Sequence, residues 1–416
     1  MSLNILIISF ILPLVKPVFD LSQDQLALLA SIGLWGLLPG SILWGQLADV
    51  IGRKTSLFYS TLVFSVFTML SALSLDYISL LLLRFMTGVG LGGYLPICFS
   101  LTAEFMPVKK RGSTLALLDS FYPIGTFSAG ILSLTLVPFE NNWRLIFLAV
   151  GVLTVLPMLM TRTHLFESPR YLTTKGRWEE AKKVVENVAL RIGVEVNISI
   201  DKEKPGLGRK GTLDAMVKDF SLLWTPAHRK ITIMLWFTWI AACYSYFGIA
   251  MYLPSILEEI GVVTSVSFLF SSFMYLGGIL AAVFVASIVE KIGRKIPLTL
   301  FLIATGSIMI PWTMGLGFTL LFVALGLVWL FLIAGSWAYL AAYTPEAYPT
   351  RVRVTGYGWA TAIGRLAGAV APWMLSVVWT HFGLKWVFVL PAMLMIASGL
   401  WLYWMGVETK GKPLED

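Results

Sequence analysis

A chain of 416 residues that is 57% hydrophobic and 13% charged, with a mean hydropathy of +0.80, is not a water-soluble globular domain, since such domains carry about 25% charged residues. The formal net charge of +8 would suit a nucleic-acid partner if it formed one basic face. Here the Lys and Arg residues instead cluster where apolar runs end, which reports membrane topology and excludes that class.

A bilayer span needs roughly 20 apolar residues. Taken in chain order, twelve such runs lie near 2–19, 26–47, 56–75, 79–102, 113–136, 144–162, 231–254, 266–288, 297–316, 318–342, 354–379 and 386–406. The one long polar segment, 163–230, falls between the sixth and seventh. The first run is short: about 13 apolar residues precede Lys16, as if the sequence began inside its first helix. No cleavable signal segment is visible. With the even-numbered loops, the linker and the tail on one side, that side holds 26 of the 31 basic residues, while Lys16, Arg144 and Lys385 lie on the other. The basic side is therefore the expected cytoplasmic side. Cys98 and Cys243 both sit in apolar runs, where they read as small core residues rather than a disulfide framework.

Inside the linker, Ser168 and Pro169 form a helix N-cap and first-turn pair. Trp178, Ala181, Val185, Val188 and Ile192 then recur at helical spacing, predicting short amphipathic helices. The stretch DKEKPGLGRKG, 201–211, reads as a connection, and TLDAMVKDFSLLW as a third helix.

The chain also repeats itself. GQLADVIGRK, 45–54, returns as ASIVEKIGRK, 286–295: Gly52-Arg53-Lys54 maps onto Gly293-Arg294-Lys295 and Asp49 onto Glu290 at an offset of 241. A second pattern, E-x-x-P-x-x-x-R, holds Glu104, Pro107 and Arg111, then Glu346, Pro349 and Arg353, at an offset of 242. Both fall after the same span of each half, and internal symmetry of this kind is a transporter signature. RFMTGVGLGG is not a dinucleotide loop, because it lies within an apolar run rather than between a strand and a helix. Gly88 and Gly92 form a small-x-x-x-small pair for close helix packing.

These residues resemble the major facilitator superfamily over essentially the whole length. GRK after the second span, FESPRYLTTKG after the sixth and VETKGKPLED at the tail are similar to the loop motifs of its sugar-porter members, with Phe166 and Val407 each replacing a proline. The resemblance implies an all-α membrane protein with twelve transmembrane helices in two pseudo-symmetric six-helix bundles. The units are 1–162, a cytoplasmic linker 163–230, 231–406, and a cytoplasmic tail 407–416. It also implies a cytoplasmic gate in which Asp49, Glu104, Glu167, Glu290 and Glu346 face Arg53, Arg111, Arg170, Arg294 and Arg353, tying the halves together when the cavity opens outward.

Ionisable residues within spans mark function, and three stand out: Arg84, Asp119 and Arg365. GRLAGAVAP, 364–372, resembles the eleventh span of the aromatic-acid, nicotinate-type and organic-anion branches, which assigns Arg365 to a substrate carboxylate held bidentately. Arg84 is the second cationic candidate. The seventh span lacks the Q-Q-x-x-G-x-N of sugar porters; its Tyr246, together with Tyr122 and Trp359, are candidates to stack on a ring. Asp119, in the fifth span, is the candidate proton carrier. Relatives that couple to protons often hold an aspartate in the first span where this chain has Asn4, and an amide carries no proton.

The expected function is proton-coupled uptake of a small organic anion by alternating access, at the plasma membrane, by a monomer. It needs no cofactor or metal beyond the proton gradient, and its partners are the substrate and the bilayer. The alternative is a sugar porter, as symporter or uniporter; an organic-ion efflux carrier or a non-transporting nutrient sensor are minor ones. No nucleophile–base pair or ligand cluster suggests an enzyme.

Overall fold

A backbone crossing lipid has no water to bond, so it must satisfy its amides within itself, and every regular element among the described residues is helical. The computed structural model describes residues 1–106, 108–139, 141–191, 193, 220–314, 317–349 and 352–409; the side chains at 108–113, 115–117, 119–120, 289–291 and 354 also lie outside that description. The first half comprises α1 (Ser2–Phe19), α2 (Gln23–Ile51), α3 (Arg53–Ser71), α4 (Tyr77–Phe105), α5 (Val108–Leu136) and α6 (Asn142–His164). Two short linker helices follow, α7 (Pro169–Thr174) and α8 (Trp178–Arg191). The second half holds α9 (Arg229–Ala250), α10 (Leu253–Glu259), α11 (Thr264–Ile292), α12 (Lys295–Met314), α13 (Thr319–Glu346), α14 (Arg353–Phe382) and, after a 3-10 turn over Leu384–Phe388, α15 (Val389–Met405).

Each of the twelve predicted spans is a helix. The seventh is divided between α9 and α10, where Pro254 opens the second piece. Among the described residues, ten helices are long and apolar enough to cross a bilayer. α3 falls below that measure because its inner face carries hydroxyls: Ser56, Ser60, Thr61 and Thr68 are buried. Thr61 and Thr68 donate to carbonyls one turn back, and Ser60 donates to the Gly90 carbonyl of α4 at 2.8 Å. Hydroxyls on a membrane-spanning helix are tolerated when turned inward and bonded, as these three are, while the buried Ser56 hydroxyl has no partner among the described residues.

The halves repeat in packing as well as in sequence. α2 lies on α4 as α11 lies on α13, α3 on α6 as α12 on α15, and α1 on α5 as α9 on α14. The halves join along two seams, α2 against α14 and α5 against α11. Phe10 meets Phe268 edge-on at 5.2 Å, and the Ser376 hydroxyl donates to the Gln23 carbonyl at 3.2 Å near the end away from the linker. The Gly88 and Gly92 pair does what its spacing predicts: a Cβ at Gly88 would strike the Gly33 carbonyl, and one at Gly92 would strike Ser41 and Leu37.

In the linker, the Ser168 hydroxyl accepts from the Tyr171 amide at 3.1 Å, as its N-cap position predicts. The predicted connection at 201–211 and most of the third linker helix lie outside the described residues.

Replacing Gly88 by leucine should separate α2 from α4. Overpacking of this kind costs about 1–3 kcal/mol, so the melting temperature in detergent should fall while Gly45→Ala, with open space around it, leaves it unchanged.

Candidate functional site

The repeated Gly-Arg-Lys forms the same structure twice. Gly52 turns the chain from α2 into α3 at φ 101°, and Gly293 turns it from α11 into α12 at φ 100°, a region that L side chains rarely enter. The amides that open the next helix then meet a carboxylate far along the chain. Glu167 accepts from the amides of Arg53 at 2.8 Å and Lys54 at 3.2 Å. Glu408 accepts from those of Arg294 at 3.0 Å and Lys295 at 3.1 Å. A negative group at a helix N-terminus satisfies orphan amides and complements the helix dipole. Glu408 was absent from the sequence-based candidates, although it stands 241 residues after Glu167, the offset that relates Arg53 to Arg294.

The arginines beside these glycines pair within their own half. Arg53 contacts Asp49 at 3.0 Å and Glu104 at 3.5 Å; Arg294 contacts Glu346 at 3.3 Å. Thr409 donates to Glu346 at 2.6 Å. Arg353 donates to the Pro345 carbonyl at 2.9 Å, near the C-terminal end of α13. Arg170 is exposed. The side chains of Arg111 and Glu290 lie outside the described residues. Among the described residues, the ion pairs of Arg53 and Arg294 close inside one bundle each. The physical reason is local, because each arginine starts a helix beside the preceding and following helices of its own half.

Deeper in the bundle, α14 approaches α9 closely. A Cβ at Gly364 would lie 2.9 Å from the Cys243 sulfur and 3.2 Å from the Trp239 Cβ, and one at Gly368 would press on Phe247. Arg365 stands between these glycines, half-buried. Tyr357 and Cys243 lie near it. Among the described residues no carboxylate lies within ion-pair distance of it. From Tyr357 a train of rings runs across the molecule: Trp239 at 6.1 Å, then Trp337 at 5.4 Å, then Tyr246 at 6.1 Å, then Tyr122 of the opposite half at 6.3 Å. The Trp337 indole N–H is buried without a hydrogen-bond partner, whereas Trp239 donates to Thr344 at 3.0 Å.

The other predicted residues are placed differently. Trp359 is 43% exposed and packs with Phe220 at 4.7 Å and Trp236 at 6.4 Å. Trp236 precedes Tyr246 by ten residues, about 15 Å along α9, so Trp359 stands apart from the train of rings. Arg84 is 2% exposed on α4 and donates to the Asn4 carbonyl of α1 at 3.0 Å. Asp119 lies on α5, and its side chain is outside the described residues. Trp337, Trp239 and Tyr357 went unpredicted, since nothing in an all-apolar run distinguishes a ring that faces the seam.

Two six-helix bundles with repeated packing and joined by two seams define a transporter of the major facilitator fold. The family model described as "Sugar (and other) transporter" matches residues 10–416, and the chain belongs to that family. It is 32% identical to the niacin transporter NiaP of Acinetobacter baylyi over 412 residues, covering 99% of this chain and 91% of the relative. It is 30% identical to a candidate niacin/nicotinamide transporter NiaP of Bacillus subtilis, covering 100% and 94%. Among solved structures, the partially occluded inward-open xylose transporter XylE of E. coli superimposes with a TM-score of 0.78 at 17% identity, over 99% of this chain and 96% of the other. The chain is thus a multi-pass membrane transporter and not an enzyme.

Removing either carboxylate cap should cost about 1 kcal/mol. Glu167→Ala and Glu408→Ala lie in different halves, so their losses should add in the double variant. Denaturation of the three variants in detergent measures this; a double variant no worse than either single one would mean the caps do not stabilise separately.

Proposed function

We propose that this chain imports a small aromatic carboxylate across the plasma membrane, driven by protons, as a monomer with its linker and C-terminus in the cytoplasm. Arg365 carries the reading. It is a half-buried guanidinium with no described carboxylate in reach, and a desolvated charge is costly unless something pairs with it. A substrate carboxylate supplies that pair in bidentate geometry. Trp337 and Tyr246 from one half and Tyr122 from the other offer ring faces, and the Trp337 N–H offers a free donor. A substrate held by rings of both bundles favours their closing around it, which is the step alternating access requires. The relative described as a niacin transporter supports the choice of ligand, because niacin joins a carboxylate to an aromatic ring.

The test is uptake of labelled niacin into proteoliposomes, with unlabelled niacin, nicotinamide, benzoate and xylose as competitors. Niacin and benzoate should compete, whereas nicotinamide, which has the ring without the charge, should be at least tenfold weaker. Arg365→Ala should weaken niacin by about ten- to a hundredfold, the worth of a hydrogen bond to a charged group, about 1.5–3 kcal/mol. Equal competition by nicotinamide, or unchanged uptake in Arg365→Ala, would remove the carboxylate reading; competition by xylose alone would favour a sugar.

Coupling is assigned to Asp119, since Asn4 occupies the first-span position and does not titrate. Asp119→Asn should keep substrate exchange between the two sides and lose accumulation driven by an imposed pH gradient. Accumulation that survives the substitution would move the coupling group elsewhere.

A further inference from the structure

A second buried cation remains after Arg365 has been given a ligand. Arg84 is 2% exposed within the membrane-spanning bundle. Its Nη2 donates to the Asn4 carbonyl at 3.0 Å, and its guanidinium lies 5.5 Å from the centre of the Phe147 ring. Its Nε and Nη1 are buried without an acceptor, and among the described residues no carboxylate is within ion-pair distance. Nearby, Asn4 accepts from Thr68 at 2.8 Å through its side-chain oxygen, which leaves its Nδ2 as another buried donor with no acceptor.

The Arg84 side chain lines a narrow cavity with room for about one water-sized body. Ile5, Ile8, Ala30, Leu34 and Leu91 of the first half wall it, and Met251 of the second half closes it. These walls supply donors and hydrocarbon, with no side-chain acceptor stronger than the thioether sulfur of Met251. A water there would accept from Arg84 and have little to donate to, whereas an anion needs only donors. A guanidinium does not escape by deprotonation, and an uncompensated charge at this depth is costly.

We propose that this cavity binds a single small monovalent anion, of the chloride class, as the permanent counter-ion of Arg84. It is a site separate from the organic substrate: its size excludes an aromatic acid, and its walls contain none of the rings around Arg365. Because Met251 comes from the opposite bundle, the ion stabilises the arrangement in which the halves are packed together at this level.

The experiment is thermal unfolding of the purified full-length protein in detergent, with chloride replacing gluconate at constant ionic strength. The melting temperature should rise saturably with chloride and bromide, and not with sulfate. Arg84→Gln should lose that rise. Should that variant not fold, Asn4→Asp decides the matter: it places a fixed carboxylate beside Arg84, so it should melt higher than wild type in gluconate and respond little to chloride. Arg365→Ala should keep the full chloride response. No rise in the wild type, an undiminished rise in Asn4→Asp, or loss of the rise in Arg365→Ala would each overturn the assignment, the last by moving the ion to the substrate site.

Discussion

The hydrocarbon core of a bilayer offers a peptide amide no partner, and the rest of this structure depends on that constraint. Helices satisfy their own interiors but leave orphan amides at their first turns. The chain must therefore reverse and cap within a few residues at the bilayer surface. It does so by the same means twice. A glycine near φ 100° lets the next helix begin at once, and a carboxylate 113 to 115 residues further along accepts from its first amides. The cap also fastens the segment that carries it. Glu167 anchors the start of the linker to the first bundle, and Glu408 anchors the tail to the second. Chain segments outside the bilayer are in this way held to the half whose motion they follow.

The placement of charge bears on how two such halves can move. Among the described residues, side-chain contacts between the halves include aromatic rings and single hydrogen bonds, such as Phe10 with Phe268 and Ser376 with Gln23. The ion pairs of Arg53 and Arg294 lie within one bundle each. Apolar surfaces slide or part without orphaning a donor, whereas a charge stripped of its partner in a dry interface costs several kcal/mol. Pairing within their own halves keeps Arg53 and Arg294 compensated when the two bundles part at the linker end. The two seams, α2 with α14 and α5 with α11, are related by the same duplication that relates the motifs.

The sequence disclosed the fold in detail because its signals are strong here. Twelve apolar runs became helices, and their boundaries shifted where polar residues extend a helix beyond the lipid. α2 begins at Gln23 rather than near 26 because Ser22 and Gln25 form a reciprocal capping box there. The site was legible in its charges and much less so in its aromatics. Arg365 and Arg84 were visible as cations inside apolar runs, an expensive placement that needs a reason. Tyr246 and Trp359 were indistinguishable by the same reasoning, since helices that are apolar all round give no periodicity to say which face turns inward. Pairing was equally hidden: Arg53 and Glu104 sit on different helices, and only their packing decides that they meet each other rather than the opposite half.

Two buried guanidiniums in one molecule invite the question of why they should not share a ligand. Charge alone does not separate them, since both attract anions. Their walls do. Arg84 is enclosed by aliphatic side chains in a cavity with room for about one water-sized body, so the shape there selects by size. Arg365 is half-buried near Tyr357, which begins the train of rings through Trp239 and Trp337 to Tyr246, and the proposed substrate there is a flat ring that carries a charge. A sugar would need many donors and acceptors spread around it, because each hydroxyl left unpaired in a dry site costs free energy. Of the indoles in the ring-lined region, the Trp337 N–H is unpaired, while Trp239 is already committed to Thr344. The family's fold accommodates sugars elsewhere; under the proposed reading these walls take one strong ionic contact and a stacked ring instead of a polyol.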